Sequence, residues 1–354
     1  MKQSNKTKQQ NCDMRAILFF CLSRTRVSDR QVGVKKSMMF ILCLLFCIHH
    51  SVSLQAQSFA QIKSLAESGN VEAQFVLGHD FEKGTDECEK DFEKAVFWYK
   101  KSIENGYKKA VPYLAMAYYN ENNFTEAYPL FISFAQNPRN KKEDEYMYAA
   151  SSFMVGACKL EGKGIRQDMI GAIYWFEQAK NNGFAEAYHL LGDCYRYGYG
   201  VQKSPIDAFL NYKEGYEKYK KPDMAITLAS CYLEGSGCTQ DFSKVYSLVE
   251  NIARGEIEIE EYWKCKAQLS LAVAYYKDNS VSNHYEKAVK WLTNIVENSK
   301  AIEIDKAAAL YWLQRCYRFG RGVAKDVNKA DELVKQYSGY DSDEPSLIEL
   351  LETK

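Results

Sequence analysis

Four Gly-x-Gly elements recur along the chain at nearly regular intervals, and this periodicity limits what the chain can fold into. They are Gly162-Lys163-Gly164, Gly198-Tyr199-Gly200, Gly235-Ser236-Gly237 and Gly320-Arg321-Gly322. The first three follow one another at 36 and 37 residues, and the last comes 85 residues later, which leaves room for two units. A fixed period of this length predicts an array of small structural units rather than one globular core.

Apolar residues recur every three or four positions on both sides of each Gly-x-Gly element. One run before the glycines contains Ala187, Leu191 and Tyr195, and one run after them contains Ala172 and Trp175. This spacing places the apolar side chains on one face of a helix. Each unit is therefore predicted to be a helix A, a tight turn and a helix B. Neither helix can bury its apolar face alone, so neighbouring units must stack as an α-solenoid.

The glycines are predicted to shape these turns rather than to bind phosphate. The first glycine of each element can adopt the left-handed conformation that ends helix A, and the second lets the chain turn back. No element has a third glycine at the dinucleotide-binding spacing, and none follows a predicted strand. The structural turn glycines are therefore Gly162, Gly164, Gly198, Gly200, Gly235, Gly237, Gly320 and Gly322.

Related patterns extend the array to about seven units over residues 72–339. The units near Ala110 and Ala267 keep the helical spacing but lack the Gly-x-Gly element. Residues 57–71 are expected to form an N-terminal capping helix, and residues 340–354 a C-terminal tail or capping helix.

One motif carries a family resemblance: Ala-x-x-x-Leu-Gly-x-x-Tyr-x-x-Gly-x-Gly-Val, followed by Lys-Ala-x-x-Trp-Tyr. It resembles the Sel-one-like repeat, a relative of the tetratricopeptide repeat, over nearly the whole chain after residue 56. The clearest copy, at 185–215, contains Ala187, Leu191, Gly192, Tyr195, Gly198, Gly200 and Val201. The resemblance implies an all-α, right-handed superhelical α-solenoid of helix-turn-helix repeats. It also implies an adaptor role in envelope assembly or signalling.

The first 56 residues differ from the rest of the chain in charge and hydropathy. They contain nine basic and two acidic residues, which leaves 37 basic and 44 acidic ones, a net charge of −7, in residues 57–354. The apolar run 38–48 follows Lys35-Lys36 and is much shorter than the ~20 residues that cross a bilayer. This arrangement is typical of a secretory signal peptide, with cleavage after Ala56. Two alternatives stay open: a buried core helix, and a lipoprotein signal ending at Cys47.

The predicted signal peptide indicates the cellular compartment of the protein, and the charge of the remaining chain argues against one class of partner. We expect an exported bacterial protein, periplasmic or secreted, without a stable membrane span in its mature chain. The acidic balance argues against a nucleic-acid partner, which would require a basic excess.

Seven cysteines follow residue 56, and four of them occupy the same position of helix A. These four are Cys158, Cys194, Cys231 and Cys316. Equivalent positions of stacked helices lie about 8–10 Å apart, whereas a disulfide needs Cα atoms within about 7 Å. We therefore predict unpaired thiols that fill a small buried space. A disulfide between Cys231 and Cys238 within one unit stays open as an alternative.

The sequence offers no recognisable catalytic or metal-binding pattern. The histidines after residue 56 are His79, His189 and His284, and none lies at a spacing typical of a nucleophile's base or a metal ligand. We therefore predict a non-enzymatic protein that needs neither metal nor cofactor.

What remains is a binding surface. In solenoids of the tetratricopeptide type, the first helices line a concave groove, and this implies a groove that receives a protein or peptide partner. Several candidates are Tyr or Arg, which are enriched at interface hot spots. The candidate groove residues are His189, Asp193, Arg196, Tyr197, Tyr311, Arg315, Arg318 and Phe319.

Two other functional hypotheses stay open. The Sel-one-like family has a cysteine-rich branch, some members of which are described as binding or hydrolysing β-lactams, so the alternative is a cell-wall or β-lactam-interacting protein. This chain lacks a regular cysteine pair in every unit, and that activity is not transferred to it. The third hypothesis is a released, host-directed effector.

Overall fold

The computed structural model describes residues 58–338, and every regular element in that range is a helix. Contacts within this range divide it into two compact units, residues 58–203 and residues 204–338. The predicted signal peptide at 1–56 and the predicted tail at 340–354 lie outside the described residues.

Residues 58–203 form nine α-helices, with a short 3-10 helix at Lys108–Ala110 before the fourth. They are α1 (Phe59–Glu67), α2 (Val71–Lys83), α3 (Phe92–Glu104), α4 (Val111–Asn120), α5 (Phe124–Ala135), α6 (Pro138–Glu143), α7 (Glu145–Glu161), α8 (Met169–Asn181) and α9 (Ala185–Tyr197). Helices α2, α4, α7 and α9 are helices A. Helices α3, α5 and α8 are helices B.

Residues 204–338 form seven α-helices. They are α10 (Pro205–Tyr219), α11 (Pro222–Glu234), α12 (Phe242–Arg254), α13 (Glu261–Lys277), α14 (His284–Glu297), α15 (Glu303–Phe319) and α16 (Val327–Ser338). Helix α10 is a helix B. Helices α11, α13 and α15 are helices A, and each is followed by its helix B.

The N-termini of several B helices are fixed by a side-chain cap. The Asp168 carboxylate accepts a hydrogen bond from the Gly171 N–H at 2.8 Å and so caps α8. Asp91 and Asp241 cap α3 and α12 through the same bond to the third helical residue. A carboxylate at this position satisfies an N–H that has no partner within the helix, which is why the helix begins there.

The C-termini of four A helices are fixed by the first glycine of the Gly-x-Gly element. Gly198 adopts the left-handed conformation, with φ 80° and ψ 36°, and its N–H donates a hydrogen bond to the Cys194 carbonyl oxygen at 2.8 Å. This bond satisfies a carbonyl that the helix leaves unpaired. The glycines that end α7, α11 and α15 in the same conformation are Gly162, Gly235 and Gly320.

The second glycine of each element joins neighbouring helix pairs. Gly200 lies so close to the Met169 carbonyl, at the start of α8, that a Cβ there would overlap this backbone. The same contact with the start of the preceding helix B is made by three more pairs: Gly164 with Phe124, Gly237 with Pro205 and Gly322 with Tyr285. The sequence pattern predicts only a turn at these glycines, whereas the structure adds a contact between successive helix pairs.

Within a pair, a large aromatic side chain of helix B packs on a glycine of helix A. Phe176 of α8 is fully buried against Gly156 of α7, where a Cβ would lie 2.7 Å from the ring. Tyr99 of α3 covers Gly78 of α2 in the same way, at 2.8 Å. Each such side chain contributes about 1.5–3 kcal/mol by leaving water. The glycine at this position, which follows Val155 in α7 and Leu77 in α2, therefore sets how closely the two helices approach.

No disulfide bond joins any of the seven cysteines of the described residues. Cys158, Cys194, Cys231 and Cys316 are all buried on helices A. Burial raises the pKa of the Cys158 thiol to about 12, so the group is protonated at neutral pH and packs as a small apolar side chain. The Cys238 thiol donates a hydrogen bond to the Cys231 carbonyl oxygen at 3.5 Å and forms no disulfide with its neighbour.

Candidate binding surface

Four of the predicted groove residues lie on α9. His189 Nδ1 is 3.3 Å from a carboxylate oxygen of Asp193, whose side chain is buried. The guanidinium carbon of the half-buried Arg196 lies 5.9 Å from the centre of the Tyr197 ring. Tyr197 is 45% exposed and stacks on Tyr199 with the ring centres 5.8 Å apart. On α9, therefore, Tyr197 and Arg196 are accessible to a partner, whereas Asp193 is engaged inside the fold.

The other four predicted groove residues lie on α15. Tyr311 is buried, and its hydroxyl accepts a hydrogen bond from Arg315 Nη1 at 3.4 Å. Arg318 Nη2 lies 2.6 Å from a carboxylate oxygen of Asp331 on α16. Phe319 is 56% exposed. Phe319 is thus the most accessible of the four, and the two arginines lie half-buried beside it.

The two exposed aromatic residues occupy equivalent positions. Tyr197 is the last residue of α9 before Gly198, and Phe319 is the last residue of α15 before Gly320. An exposed large aromatic ring costs solvation free energy, whereas the same ring at an interface contributes strongly to binding. The last residue of helix A, just before the turn, is therefore the position in both repeats where contact with a partner would contribute most to the free energy of binding.

Sequence reasoning missed a cluster of cations and aromatic rings beside Arg315. We call the following five residues the cation–aromatic cluster: Lys277, Arg315, Arg321, Trp312 and Phe319. The Lys277 ammonium and the Arg315 guanidinium each lie 5.9 Å from the centre of Trp312, and the Arg321 guanidinium lies 5.3 Å from Phe319. These separations are those of cation–π contacts. The cluster brings together residues from α13, α15 and the turn that follows α15.

A second group of cation–π contacts occurs within residues 58–203, at the turn between α7 and α8. Lys163, between Gly162 and Gly164, lies 5.0 Å from the Tyr119 ring and 4.8 Å from the Phe124 ring. Arg321 makes the matching contacts with Tyr276 and Tyr285, at 5.1 and 5.4 Å. In both cases the rings belong to a helix pair that lacks Gly-x-Gly. The sequence signal for this contact has two parts. One is a basic residue between the two glycines, and the other is a pair of aromatic residues in the preceding repeat.

Two buried cysteines of the second compact unit are held in their protonated form. Burial raises the pKa of Cys316 to about 12 and of Cys265 to about 11, so neither thiol is a thiolate nucleophile at neutral pH. Desolvation lowers the pKa of His79, a change opposed by Glu82. Among residues 58–338, no three His, Cys, Asp or Glu side chains converge as ligands for a metal ion.

Stacked pairs of helices, joined by glycine turns and presenting aromatic and basic residues at the ends of helices A, define an α-solenoid repeat protein. The chain belongs to the Sel1 repeat family. The family model matches residues 71–107, 149–184, 185–218, 223–244, 265–294 and 307–330, together about half of the chain. The glycine-free pair α4–α5 lies entirely outside these segments. Proteins of this family generally mediate protein–protein interaction, and their fold is generally a non-enzymatic scaffold.

Known proteins similar to this chain share the repeat. A Sel1 repeat protein from Oxalobacter formigenes has 27% sequence identity and a TM-score of 0.49, covering 64% of this chain and 87% of that one. A protective antigen with an SLR fold, c5321 of uropathogenic Escherichia coli, has 20% identity and a TM-score of 0.40, covering 79% of each chain.

A curated relative comes from Arabidopsis thaliana and is described as the ERAD-associated E3 ubiquitin-protein ligase component HRD3B. It is 24% identical over an alignment of 233 positions, and the alignment covers 54% of this chain. The chain spans only 37% of that relative's length. Within residues 58–338, no helix combines the length and the apolarity that a membrane crossing requires.

Proposed function

We propose that this chain is a non-enzymatic scaffold that binds a protein or peptide partner through the ends of its A helices. The observation that carries the proposal is the exposure of two large aromatic side chains, Tyr197 and Phe319, each next to an arginine on the same helix. Aromatic and Arg side chains supply most of the free energy at protein interfaces. The repeat family, whose members generally mediate protein–protein interaction, supports the same function.

The test is affinity enrichment with the full chain as bait. We expect defined proteins to be retained by the natural chain and lost when Tyr197→Ser and Phe319→Ser are combined. The matched control is Tyr174→Ser, which removes a tyrosine 57% exposed on helix B rather than helix A. Retention of the same proteins by the double variant would place the binding surface elsewhere. A bait that enriches no protein at all would contradict the scaffold function.

We also propose that the protein is exported, on the basis of the basic and apolar residues that precede Ala56. The proposal is supported by the run 38–48 after Lys35-Lys36. Fractionation of cells that express the full chain, followed by N-terminal sequencing, tests it. A processed chain that begins near Gln57 in the periplasm or medium is the expected result. An unprocessed chain in the cytoplasm would refute export.

A further inference from the structure

The cation–aromatic cluster holds three positive charges that no carboxylate of residues 58–338 neutralises in an ion pair. Within the described part of the chain, Lys277, Arg315 and Arg321 form no ion pair with Asp or Glu. Their polar contacts are with tyrosine hydroxyls: Arg315 with Tyr311 at 3.4 Å, and Arg321 with Tyr276. Like charges held together raise the free energy of the surface, and a carboxylate would lower it.

The nearby carboxylates of the same unit are already occupied. Asp278, the residue after Lys277, accepts hydrogen bonds from the Tyr246 hydroxyl at 3.0 Å and from Ser280 at 2.6 Å. Asp331 is bound by Arg318. Arg315 Nε is buried and has no hydrogen-bond partner. A buried N–H without an acceptor is uncommon. Because this atom is covered, an anion reaches it only when the half-buried Arg315 side chain turns outward.

The cluster also stands out against the charge of the rest of the chain. Residues 57–354 carry a net charge of −7, so an acidic partner is repelled by most of the surface. A local group of cations over low-dielectric aromatic rings concentrates the attractive field at one place. Such an arrangement guides a small acidic segment to one position and orientation. A nucleic acid needs a longer row of basic residues, because its charge continues along the backbone.

We propose that the cation–aromatic cluster binds an acidic segment of a partner protein, in which Asp or Glu side chains are followed by a bulky apolar one. The carboxylates accept hydrogen bonds from the guanidinium groups of Arg315 and Arg321, which bind carboxylates in a fixed planar geometry. The apolar side chain packs on the exposed ring of Phe319. The inference rests on the proposed scaffold function and specifies the partner's chemistry.

The direct test measures binding of an acidic peptide to the full chain. The probe is a fluorescein-labelled peptide of four Glu-Leu-Asp triplets, followed by fluorescence anisotropy, and its matched control has Gln and Asn in place of Glu and Asp. We expect saturable binding of the acidic peptide that weakens as salt concentration rises, because the charges are partly exposed. Equal binding of the neutral peptide would overturn the inference.

Two variants assign the binding to the cluster. Lys277→Glu reverses an exposed charge whose contact within the described residues is the cation–π contact with Trp312. Arg315→Gln removes the guanidinium, and we expect each variant to weaken the Kd about tenfold. Lys300→Gln removes an exposed cation that follows α14 instead and should leave the Kd unchanged. Circular dichroism melting identifies any variant that fails to fold, and Lys277→Glu alone then decides. An unchanged Kd in Lys277→Glu would overturn the inference.

If the cation–aromatic cluster binds something other than an acidic segment of a partner protein, these binding experiments give different results. Stronger binding of a single-stranded oligonucleotide than of the acidic peptide would favour nucleic acid and reject the proposal. Binding of the peptide only after Asp341→Asn, Asp343→Asn and Glu344→Gln are introduced together would show that the chain's own acidic C-terminal residues occupy the cluster. Partners enriched equally by the natural chain and by Lys277→Glu would reject this inference and leave the scaffold function standing.

Discussion

At the scale of single residues, the middle position of the Gly-x-Gly turn decides how a turn is held. Lys163 and Arg321 each extend over two aromatic rings of the preceding helix pair. Lys163 also donates a hydrogen bond to the Tyr119 hydroxyl at 3.1 Å. Both preceding pairs lack the glycine element, so a side-chain contact from the next turn supplements their packing.

Lys163→Met removes the charge and the hydrogen bond but keeps much of the apolar stem. Lys163→Met also removes the ion pair with Glu161, in which the two charged atoms are 2.6 Å apart. We expect the free energy of unfolding to fall by about 1–2 kcal/mol, from the lost cation–π, hydrogen-bond and ion-pair contributions. Urea denaturation monitored by circular dichroism measures it. Lys163→Arg should retain most of the stability, and Lys141→Met, at an exposed site on α6, should have almost no effect. A loss in Lys141→Met equal to that in Lys163→Met would count against the contact.

Asp80 gives a residue-scale prediction about pH. On α2 it stands where other A helices have a buried cysteine, and burial, reinforced by the charge of Glu87, raises its pKa to about 6. The folded chain thus binds this proton more tightly than the unfolded chain does. The resulting stability is present below pH ~3.8 and is lost as the pH rises through ~6.

Asp80→Asn should remove that loss. We expect the free energy of unfolding to rise by about 1–2 kcal/mol at pH 7.5, after allowance for partial solvent screening, and by much less at pH 4.5. Urea denaturation at the two pH values measures the difference, with Asp86→Asn on the exposed turn as the control. A gain that is the same at both pH values would show that the carboxyl charge is not responsible.

At the scale of elements, the two glycines of one turn are required for different structural reasons. Gly198 ends α9 with a left-handed backbone and has ordinary space where an alanine methyl group would lie, 3.4 Å from the Lys203 side chain. Gly200 combines positive φ with a backbone contact to Met169. The first glycine is therefore required by conformation alone, and the second by conformation and close approach.

Alanine substitutions separate these duties. Gly198→Ala should cost about 1–2 kcal/mol from left-handed strain, whereas Gly200→Ala adds overpacking and should cost about 3 kcal/mol or more. Thermal and urea denaturation of the two variants measure the difference, and each variant serves as the matched control for the other. Equal losses would mean that α8 moves away from Gly200 without penalty.

Element boundaries could be predicted because their determinants are local in sequence. Asp168 and Gly198 define a helix start and a helix end through bonds to residues three or four positions away. Exposure could not be predicted in the same way. Asp193, Tyr311, Tyr197 and Phe319 are all predicted groove residues, yet Asp193 and Tyr311 are buried. The difference arises because burial depends on which neighbouring side chains cover a position. Charge pairing such as Arg318 with Asp331 also depends on the packing of a second helix.

At the scale of the whole molecule, the predicted all-α solenoid class is confirmed. The prediction rests on the repeat period together with the helical spacing of apolar residues. Both patterns remain recognisable when single positions are substituted. The cation–aromatic cluster was not predicted, because its members come from α13, α15 and the following turn and meet only when the helices stack. The class of fold is thus a property of the pattern, whereas the binding surface is a property of the packed side chains.

Thiol reactivity tests this packing across the described chain. Cys88 and Cys238 are partly accessible, whereas the other five cysteines of residues 58–338 are buried. We expect maleimide to label Cys88 and Cys238 in the native protein and the five buried cysteines only after unfolding, as read by peptide mass spectrometry. Rapid native labelling of Cys158 or Cys316 would show that the A helices do not pack as described.

The contact of the second glycine with the preceding helix B has a consequence for how such a chain can evolve. The second glycine of a turn contacts the backbone at the start of one earlier helix, as Gly200 does at Met169 and Gly237 at Pro205. Backbone atoms are the same whatever the side chain, so one turn fits many predecessors. Duplication or loss of a whole helix pair within the gene would recreate a working junction at once. The length of the protein can therefore change by complete repeats, while individual side chains remain free to diverge toward new partners.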